Sequence, residues 1–197
     1  HFSIENNVGE NAIEDLYLNI PGLHNLENAV GATLMAYKAG VSIAEIRQGL
    51  AEFSGIKRRF EYVVEKSNCV VIDDYAHHPS ELNAIINSVR ELYPNKKITA
   101  IFQPHLFTRT RDFLDDFAKE LSLVDELFLI PIYPARELPL PGITSEAILE
   151  KVSIPNAKCI EKEEVLSKLK IANVEVLLIL GAGDIDRLVN PIKELYV

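Results

Sequence analysis

From residue 61 onward, short runs of β-branched residues alternate with amphipathic segments of helical spacing. Neighbouring parallel strands need crossover connections, and right-handed crossovers place helices over both faces of the sheet. The sequence therefore predicts an α/β fold with a parallel sheet and helices on both faces. The predicted strands are 70–73, 98–102, 126–130, 157–160 and 174–180, and the predicted helices are 80–93, 110–121, 144–152, 162–170 and one from about 184.

The preceding part of the chain has a different pattern, typical of two consecutive helices. Apolar residues recur at helical spacing over about 26–38, with Asn25 in a position to cap that helix. A capping-box pattern at Ser42 indicates the start of the second helix. A basic stretch then interrupts the pattern, so we predict a domain boundary that divides the chain into 1–56 and 57–197.

Charge and hydropathy narrow the classes of partner. The net charge of −9 over 197 residues disfavours nucleic acids and anionic membranes, because both repel an acidic protein. No apolar run has the length of a membrane span, and the first residues do not resemble a signal peptide, so we predict a cytoplasmic protein without membrane insertion. The chain starts at His1 rather than at Met, and we expect it to be part of a longer protein.

Four titratable side chains lie together in residues 73–79, where the first predicted parallel strand ends. Parallel sheets bind ligands at the carboxyl ends of their strands, so a functional site is expected there. Asp74 and His77 could hold a metal ion that activates water, as in a metal-dependent hydrolase. Adjacent histidines on an extended chain point to opposite faces, so only one of them can join Asp74. A contact from Asp74 to a ribose or phosphate, and from one histidine to a substrate, fits the same pattern.

A second polar segment, residues 103–111, follows the next predicted strand and faces the same edge of the sheet. Its guanidinium groups could hold a carboxylate through paired, charged hydrogen bonds. A loop arginine that balances Asp112 and Asp115 would explain the pattern about as well.

Two further segments carry weaker chemical signals. The amide of Asn28 could contact an adenine edge, since an amide both donates and accepts, whereas Asn25 fits a helix cap. Residues 181–186 look like the start of a dinucleotide fingerprint, but its third glycine is absent and too little chain follows. We interpret this segment as a tight turn into the last helix, and its backbone amides could line a ligand cleft.

Together these segments resemble the Mur ligase family, the ATP-dependent enzymes that form amide bonds in peptidoglycan synthesis. The resemblance covers nearly the whole chain. The run from Phe102 to His105, with Arg109, Thr110 and the segment 181–185, is similar to the alanine-adding branch. The tripeptide-adding branch, murein tripeptide ligase, shares the 73–79 turn but not the Phe-Gln-Pro-His run, and it is the alternative within the family. The segments that carry the family resemblance as a whole are 21–28, 57–60 and 73–79.

The resemblance implies that ATP phosphorylates the carboxylate of UDP-N-acetylmuramate and that the amine of L-alanine attacks the acyl phosphate. It implies that 1–56 is the helical end of a central ATPase domain and that 57–197 is a Rossmann-like C-terminal domain that binds the amino acid. The implied ATP contacts are His24, Asn25, Asn28, Arg59 and Asp74. The implied contacts of the amino-acid substrate are Tyr75, His77, His105 and Arg109.

The sequence departs from the family pattern in two ways. Leu106 stands where the family commonly has an arginine, so Arg109 alone is left as the expected partner of the substrate carboxylate. No glycine-lysine phosphate loop occurs in the 197 residues. We therefore expect the ATPase core, the Mg²⁺ ligands and the UDP-sugar domain to lie upstream. We predict no metal site in this chain and no catalysis by the chain alone.

Overall fold

A computed structural model describes residues 1–5 and 12–197 of the protein. These residues form two compact units, His1–Ile56 and Lys57–Val197. No helix among the described residues is both long enough and apolar enough to cross a membrane.

The first unit contains a two-stranded antiparallel sheet and two helices. Its elements are β1 (Phe2–Ile4), β2 (Ile13–Leu16), α1 (Leu23–Lys38) and α2 (Ile43–Glu52). Ile13 and Leu16 of the sheet pack with Ile46 of α2 in a small apolar core. The sheet was not predicted, because strands of three and four residues are too short to show a periodic pattern.

One of the two predicted helix starts is correct. The hydroxyl of Ser42 accepts from the backbone N–H of Glu45, and the Glu45 carboxylate accepts from the backbone N–H of Ser42, which confirms the capping box. The prediction that Asn25 caps α1 is wrong. The helix starts earlier, after Gly22 at φ 103°, so Asn25 falls in the first turn and its Nδ2 donates to the Pro21 carbonyl at 2.6 Å.

The second unit is a six-stranded sheet in the order β3-β4-β8-β5-β6-β7. All neighbours are parallel except β3, which pairs antiparallel with β4 at one edge. This confirms the predicted α/β class, with one unpredicted antiparallel strand. The strands are β3 (Glu61–Glu65), β4 (Val70–Asp74), β5 (Ile98–Phe102), β6 (Glu126–Leu129), β7 (Ala157–Cys159) and β8 (Val176–Leu180).

Helices cover both faces of this sheet, as predicted. On one face α3, α5 and α6 pack over a core that includes Phe102 and Phe117. On the other face α7 and α8 pack over a core that includes Phe128 and Ile192. The helices are α3 (Pro79–Leu92), α4 (Phe107–Asp112), α5 (Leu114–Leu121), α6 (Ser145–Leu149), α7 (Val165–Ile171) and α8 (Val189–Tyr196), and 3₁₀ segments at Lys162–Glu164 and Asp184–Leu188 precede the last two.

The strand order brings the polar segments of the sequence to one place. Because β8 lies between β4 and β5, the carboxyl ends of these three buried strands are adjacent. The 73–79 turn, the 103–111 segment and the 181–186 turn therefore share one edge of the sheet. This is the position at which α/β sheets bind ligands.

Candidate functional site

Four rings form a row along this edge: Tyr75, His77, His105 and Tyr133. Successive ring centroids are 5.2, 5.9 and 5.6 Å apart. Tyr75 and His77 follow β4, His105 follows β5, and Tyr133 follows β6. Three strand ends therefore contribute to one surface, although the contributing residues are up to 58 positions apart in the chain (133 − 75).

Arg109, the third residue of α4, joins the row. Its Nη1 donates to Nδ1 of His105 over 3.3 Å. Burial lowers the pKa of His105 below its ordinary value, and the nearby Arg109 cation and His77 lower it further, against an opposing effect of Glu137. The structure thus brings the four predicted amino-acid contacts, Tyr75, His77, His105 and Arg109, together on one surface. The lowered pKa keeps the His105 ring neutral. The contact of these four residues with a substrate stays a prediction.

The adjacent histidines of the 73–79 turn have separate partners, in line with an extended backbone. Nδ1 of His77 lies 2.9 Å from the Tyr75 carbonyl oxygen and 3.2 Å from Oε2 of Glu81. His78 instead caps α3, where its Nδ1 accepts from the backbone N–H of Ser80 at 3.4 Å. His77 therefore belongs to the row of rings and His78 to the helix start.

Asp74 is 9% exposed, and its carboxylate accepts hydrogen bonds from the backbone before β3 and from the backbone after β4. Its Oδ2 accepts from the Phe60 N–H and its Oδ1 from the Ala76 N–H, each at 2.8 Å. A carboxylate oxygen can accept more than one hydrogen bond, so these contacts are compatible with a further donor from a ligand. The proposed contact of Asp74 with ribose stays a prediction.

Arg58 is a site residue that the sequence did not single out. Its Nε lies 3.2 Å from Oδ2 of Asp73, its Nη2 donates to the Gly181 carbonyl, and its guanidinium carbon is 5.1 Å from the centre of the Tyr75 ring. One side chain thus ties the end of β4 to the end of β8. The sequence does not distinguish Arg58 from Lys57 and Arg59. What differs is the backbone of Arg58, which is left-handed at φ 60° and turns the side chain inward.

Asp73, the partner of Arg58, is 1% exposed. Its Oδ1 has no hydrogen-bond partner among the described residues. Burial raises the pKa of Asp73 from 3.8 to about 6, although the Arg58 cation opposes the shift. This carboxyl group therefore titrates near neutral pH, at the same edge as the imidazoles.

The predicted ATP contacts lie in both units. Asn28 is exposed on α1, and Arg59 is exposed at the start of the second unit. Asn25 is 7% exposed. The side chain of His24 lies outside the part of the chain that the structure describes. All five predicted ATP contacts stay predictions.

Gln103 connects β5 to the 181–186 turn. Its Oε1 accepts from the Ile185 N–H, and its Nε2 donates to Asp184, both at 2.9 Å. Although burial opposes the shift, hydrogen bonds from Lys162 and Gln103 hold the pKa of Asp184 below its ordinary value. A Cβ added to Gly183 would lie 2.6 Å from Cβ of Tyr133. The segment is thus a tight turn into the last helical region, as predicted, and Gly183 packs closely against Tyr133.

Among residues 1–5 and 12–197, no group of three or more His, Cys, Asp and Glu side chains is arranged to hold a metal ion. Both oxygens of Asp74 accept from backbone amides, and Nδ1 of His77 faces a carbonyl oxygen. The alternative of a metal-dependent hydrolase built on Asp74 and His77 therefore receives no support from the site geometry.

The fold and the edge define a class: an α/β domain whose parallel strand ends carry imidazoles, guanidinium groups and buried carboxylates at one edge of the sheet. Residues 58–183 match the family described as Mur ligase, glutamate ligase domain. This match covers more than half of the chain, and the chain belongs to the Mur ligase family.

Curated relatives point to one branch of that family. The chain is 52% identical over 183 residues to the UDP-N-acetylmuramate--L-alanine ligase of Porphyromonas gingivalis, covering 92% of the chain and 40% of that protein. It is 50% identical over 179 residues to the ligase of the same name from Cytophaga hutchinsonii, covering 91% of the chain and 38% of that protein. The chain thus spans about two fifths of the length of the curated relatives it matches.

Solved structures agree with this fold. The UDP-N-acetylmuramate-alanine ligase of Thermotoga maritima has a TM-score of 0.74 and 33% identity, with 92% of this chain and 39% of that chain covered. A murein peptide ligase from Psychrobacter arcticus has a TM-score of 0.68 at 21% identity, covering 98% of this chain and 41% of that chain. At that identity the second likeness shows the fold alone.

Proposed function

We propose that this chain is the C-terminal part of an ATP-dependent ligase that joins L-alanine to UDP-N-acetylmuramate in cytoplasmic peptidoglycan synthesis. The main support is the identity of about half of all residues, over more than nine tenths of the chain, to ligases that carry this name. In this proposal residues 57–197 bind alanine. Residues 1–56 are the end of the central ATP-binding domain, whose remainder lies upstream with the UDP-sugar domain and the Mg²⁺ ligands.

The amino-acid site of this proposal is the row of rings with Arg109. The Arg109 guanidinium holds the alanine carboxylate, because paired N–H donors match a carboxylate in geometry and charge. Its hydrogen bond to His105 fixes its direction without neutralising it, since His105 is uncharged near pH 7. Tyr75 and His77 complete the contact surface for the backbone atoms of the amino acid. Leu106, where the family commonly has a second arginine, supplies no charge.

Bound ATP would supply the phosphoryl group that activates the muramate carboxylate. The exposed side chains of Asn28 and Arg59 are accessible for adenine and phosphate contacts respectively, and the Asp74 carboxylate can accept from a ribose hydroxyl. The negative charge that gathers on the transferring phosphoryl group needs cations held in place, and in this proposal Arg59 supplies one when the domains of the whole ligase close.

The direct test uses the full-length protein with UDP-N-acetylmuramate and ATP, and it measures phosphate release together with product mass. We expect release that depends on L-alanine and a product heavier by one alanine residue. A protein that ignores L-alanine but uses the murein tripeptide would instead be a murein tripeptide ligase. Stoichiometric bound metal together with ATP-independent hydrolysis would support the hydrolase alternative.

A further inference from the structure

The proton positions on His77 follow from its neighbours. Nδ1 of His77 faces a carbonyl oxygen, of Tyr75, and a carboxylate oxygen, of Glu81, at 2.9 and 3.2 Å. Neither oxygen can donate, so Nδ1 must carry the hydrogen. In neutral His77 the lone pair is therefore on Nε2, and His77 presents an acceptor at its free end.

The proton of His105 lies on the opposite ring nitrogen from that of His77. Its Nδ1 lies 3.3 Å from Nη1 of Arg109, and a guanidinium group can only donate, so Nδ1 must be the acceptor. The lowered pKa of His105 keeps the ring neutral at pH 7. Its single proton is then on Nε2, and His105 presents a donor. The two rings face each other in an edge-to-face arrangement with centroids 5.9 Å apart.

We propose that His77 and His105 are held in opposite tautomers and together orient the amino acid, with its amine at His77 Nε2 and its carboxylate at His105 Nε2–H and Arg109. This inference rests on the proposed function and extends it to proton transfer. An α-amino acid has a donor end and an acceptor end on neighbouring atoms, which is the complement of this acceptor and donor pair. The Tyr75 carbonyl and the Glu81 carboxylate together fix the proton on His77 Nδ1, and Glu81 is the positioning residue that also places a negative charge beside the ring.

The arrangement assigns a path to both protons that the reaction releases. The amino acid enters as an ammonium ion, and His77 Nε2 takes one proton, which leaves a lone pair on the nitrogen. The amine attacks the carbonyl carbon of the acyl phosphate, the C–N bond forms, and the C–O bond to phosphate breaks. The departing phosphate takes the second amine proton. The His77 imidazolium is stabilised by the Glu81 carboxylate until it releases its proton to solvent.

The tautomers can be observed directly in the 197-residue chain. Long-range ¹H–¹⁵N correlation spectra of the labelled protein at pH 8, assigned by comparison with His77→Gln and His105→Gln, separate the two neutral forms of a histidine ring. We expect a protonated Nδ1 on His77 and a protonated Nε2 on His105. The same tautomer on both rings, or the reverse pair, would overturn the proposal. If either variant fails to fold, backbone-based assignment of the wild-type spectrum gives the same answer.

A second experiment tests the role of Glu81 in the full-length enzyme. Glu81→Gln keeps an oxygen for the helix cap but removes the charge beside the His77 imidazolium. The groups that face His77 are Tyr75 in its own segment, Glu81 on α3 and His105 after β5. We expect kcat to fall about tenfold. We also expect the acidic limb of the pH profile of kcat/KM for L-alanine to move to lower pH, because the His77 imidazolium loses a stabilising charge.

The matched control is Glu91→Gln, an exposed position on the same helix. We expect it to behave like the wild type. A Glu81→Gln enzyme that loses stability but keeps the wild-type pH profile would reduce Glu81 to a helix cap and overturn its positioning role. If the wild-type enzyme has no alanine-dependent activity, the proposed function fails, whereas the tautomer measurement still decides the geometry.

Discussion

At the residue scale, adjacent side chains of identical type have different surroundings. Arg58 is turned inward onto Asp73 and Gly181, whereas Arg59 is exposed. The sequence could place a cationic stretch at the domain boundary, but it could not separate the two arginines, because a left-handed backbone at one position decides the outcome. The contacts of Gln103 and Tyr133 were missed for a related reason: their partners come from distant segments that only the strand order makes adjacent.

Substitution of Arg58 should therefore change the stability of the chain, and substitution of Arg59 should change the ATP kinetics of the full-length enzyme. Arg58→Ala leaves the buried Asp73 carboxylate without its cation, and we expect a loss of about 3 kcal/mol in the unfolding free energy of the chain, measured in urea. Arg59→Ala should stay within about 0.5 kcal/mol of the wild type. In the full-length enzyme Arg59→Ala should lower kcat/KM for ATP about tenfold or more, because a charged phosphate contact is lost. Unchanged ATP kinetics would make Arg59 a solvated linker residue.

The buried Asp73 also predicts how stability depends on pH. Because its folded-state pKa of about 6 lies above the ordinary 3.8, its favourable contribution is complete below about 3.8 and is lost as pH rises through 6. From pH 5 to pH 7.5 the wild type should lose about 1 to 2 kcal/mol relative to Asp73→Asn, as measured by urea unfolding. Asp112→Asn, at an exposed position, is the control. A constant difference between wild type and Asp73→Asn at all pH values would contradict the raised pKa.

At the scale of elements, burial explains which strands and helices the sequence predicted. The parallel strands, β4 to β8, were all predicted within a few residues. Four of them are largely buried apolar runs, which give a clear signal, whereas β7 is short and partly exposed. Strand β3 was missed, since it is an antiparallel edge strand with partly exposed residues and a bulge. The predicted helix at 110–121 is two helices, α4 and α5, which are separated at Phe113 by a backbone at φ −121° and ψ 25°. The sequence shows no glycine or proline there.

Because the 181–186 turn packs against Tyr133, we expect Gly183 not to tolerate a side chain. Gly183→Ala should destabilise the chain by about 1 to 3 kcal/mol, because the new Cβ would lie 2.6 Å from Tyr133 and something must move. In the full-length enzyme the same change should raise KM for alanine by displacing Tyr133 from His105. Gly31→Ala on α1 has nothing within 4 Å and should be neutral or stabilising by up to about 1 kcal/mol. Equal melting temperatures for both variants would contradict this account of the turn.

At the scale of the whole molecule, the chain carries the proposed amino-acid site but spans about two fifths of the length of its curated relatives. No phosphate loop occurs in its 197 residues. We therefore expect the chain to unfold cooperatively, as a folded protein does, and to release no phosphate from ATP when UDP-N-acetylmuramate and L-alanine are added. Turnover by the chain alone, after removal of any co-purified ligase, would contradict the assignment of its two units.

The proposed function depends on Arg109 being the residue that holds the alanine carboxylate. The measurement is the pair of Michaelis constants, for L-alanine and for ATP, in full-length wild type, Arg109→Ala and Arg111→Ala, the last altering an exposed arginine that pairs with Asp112. Arg109→Ala should weaken alanine recognition by about 2 to 5 kcal/mol, because the substrate carboxylate loses its partner, and leave the KM for ATP unchanged. Arg111→Ala should match the wild type. A change confined to ATP, no change at all in Arg109→Ala, or the alanine defect in Arg111→Ala instead would contradict the site.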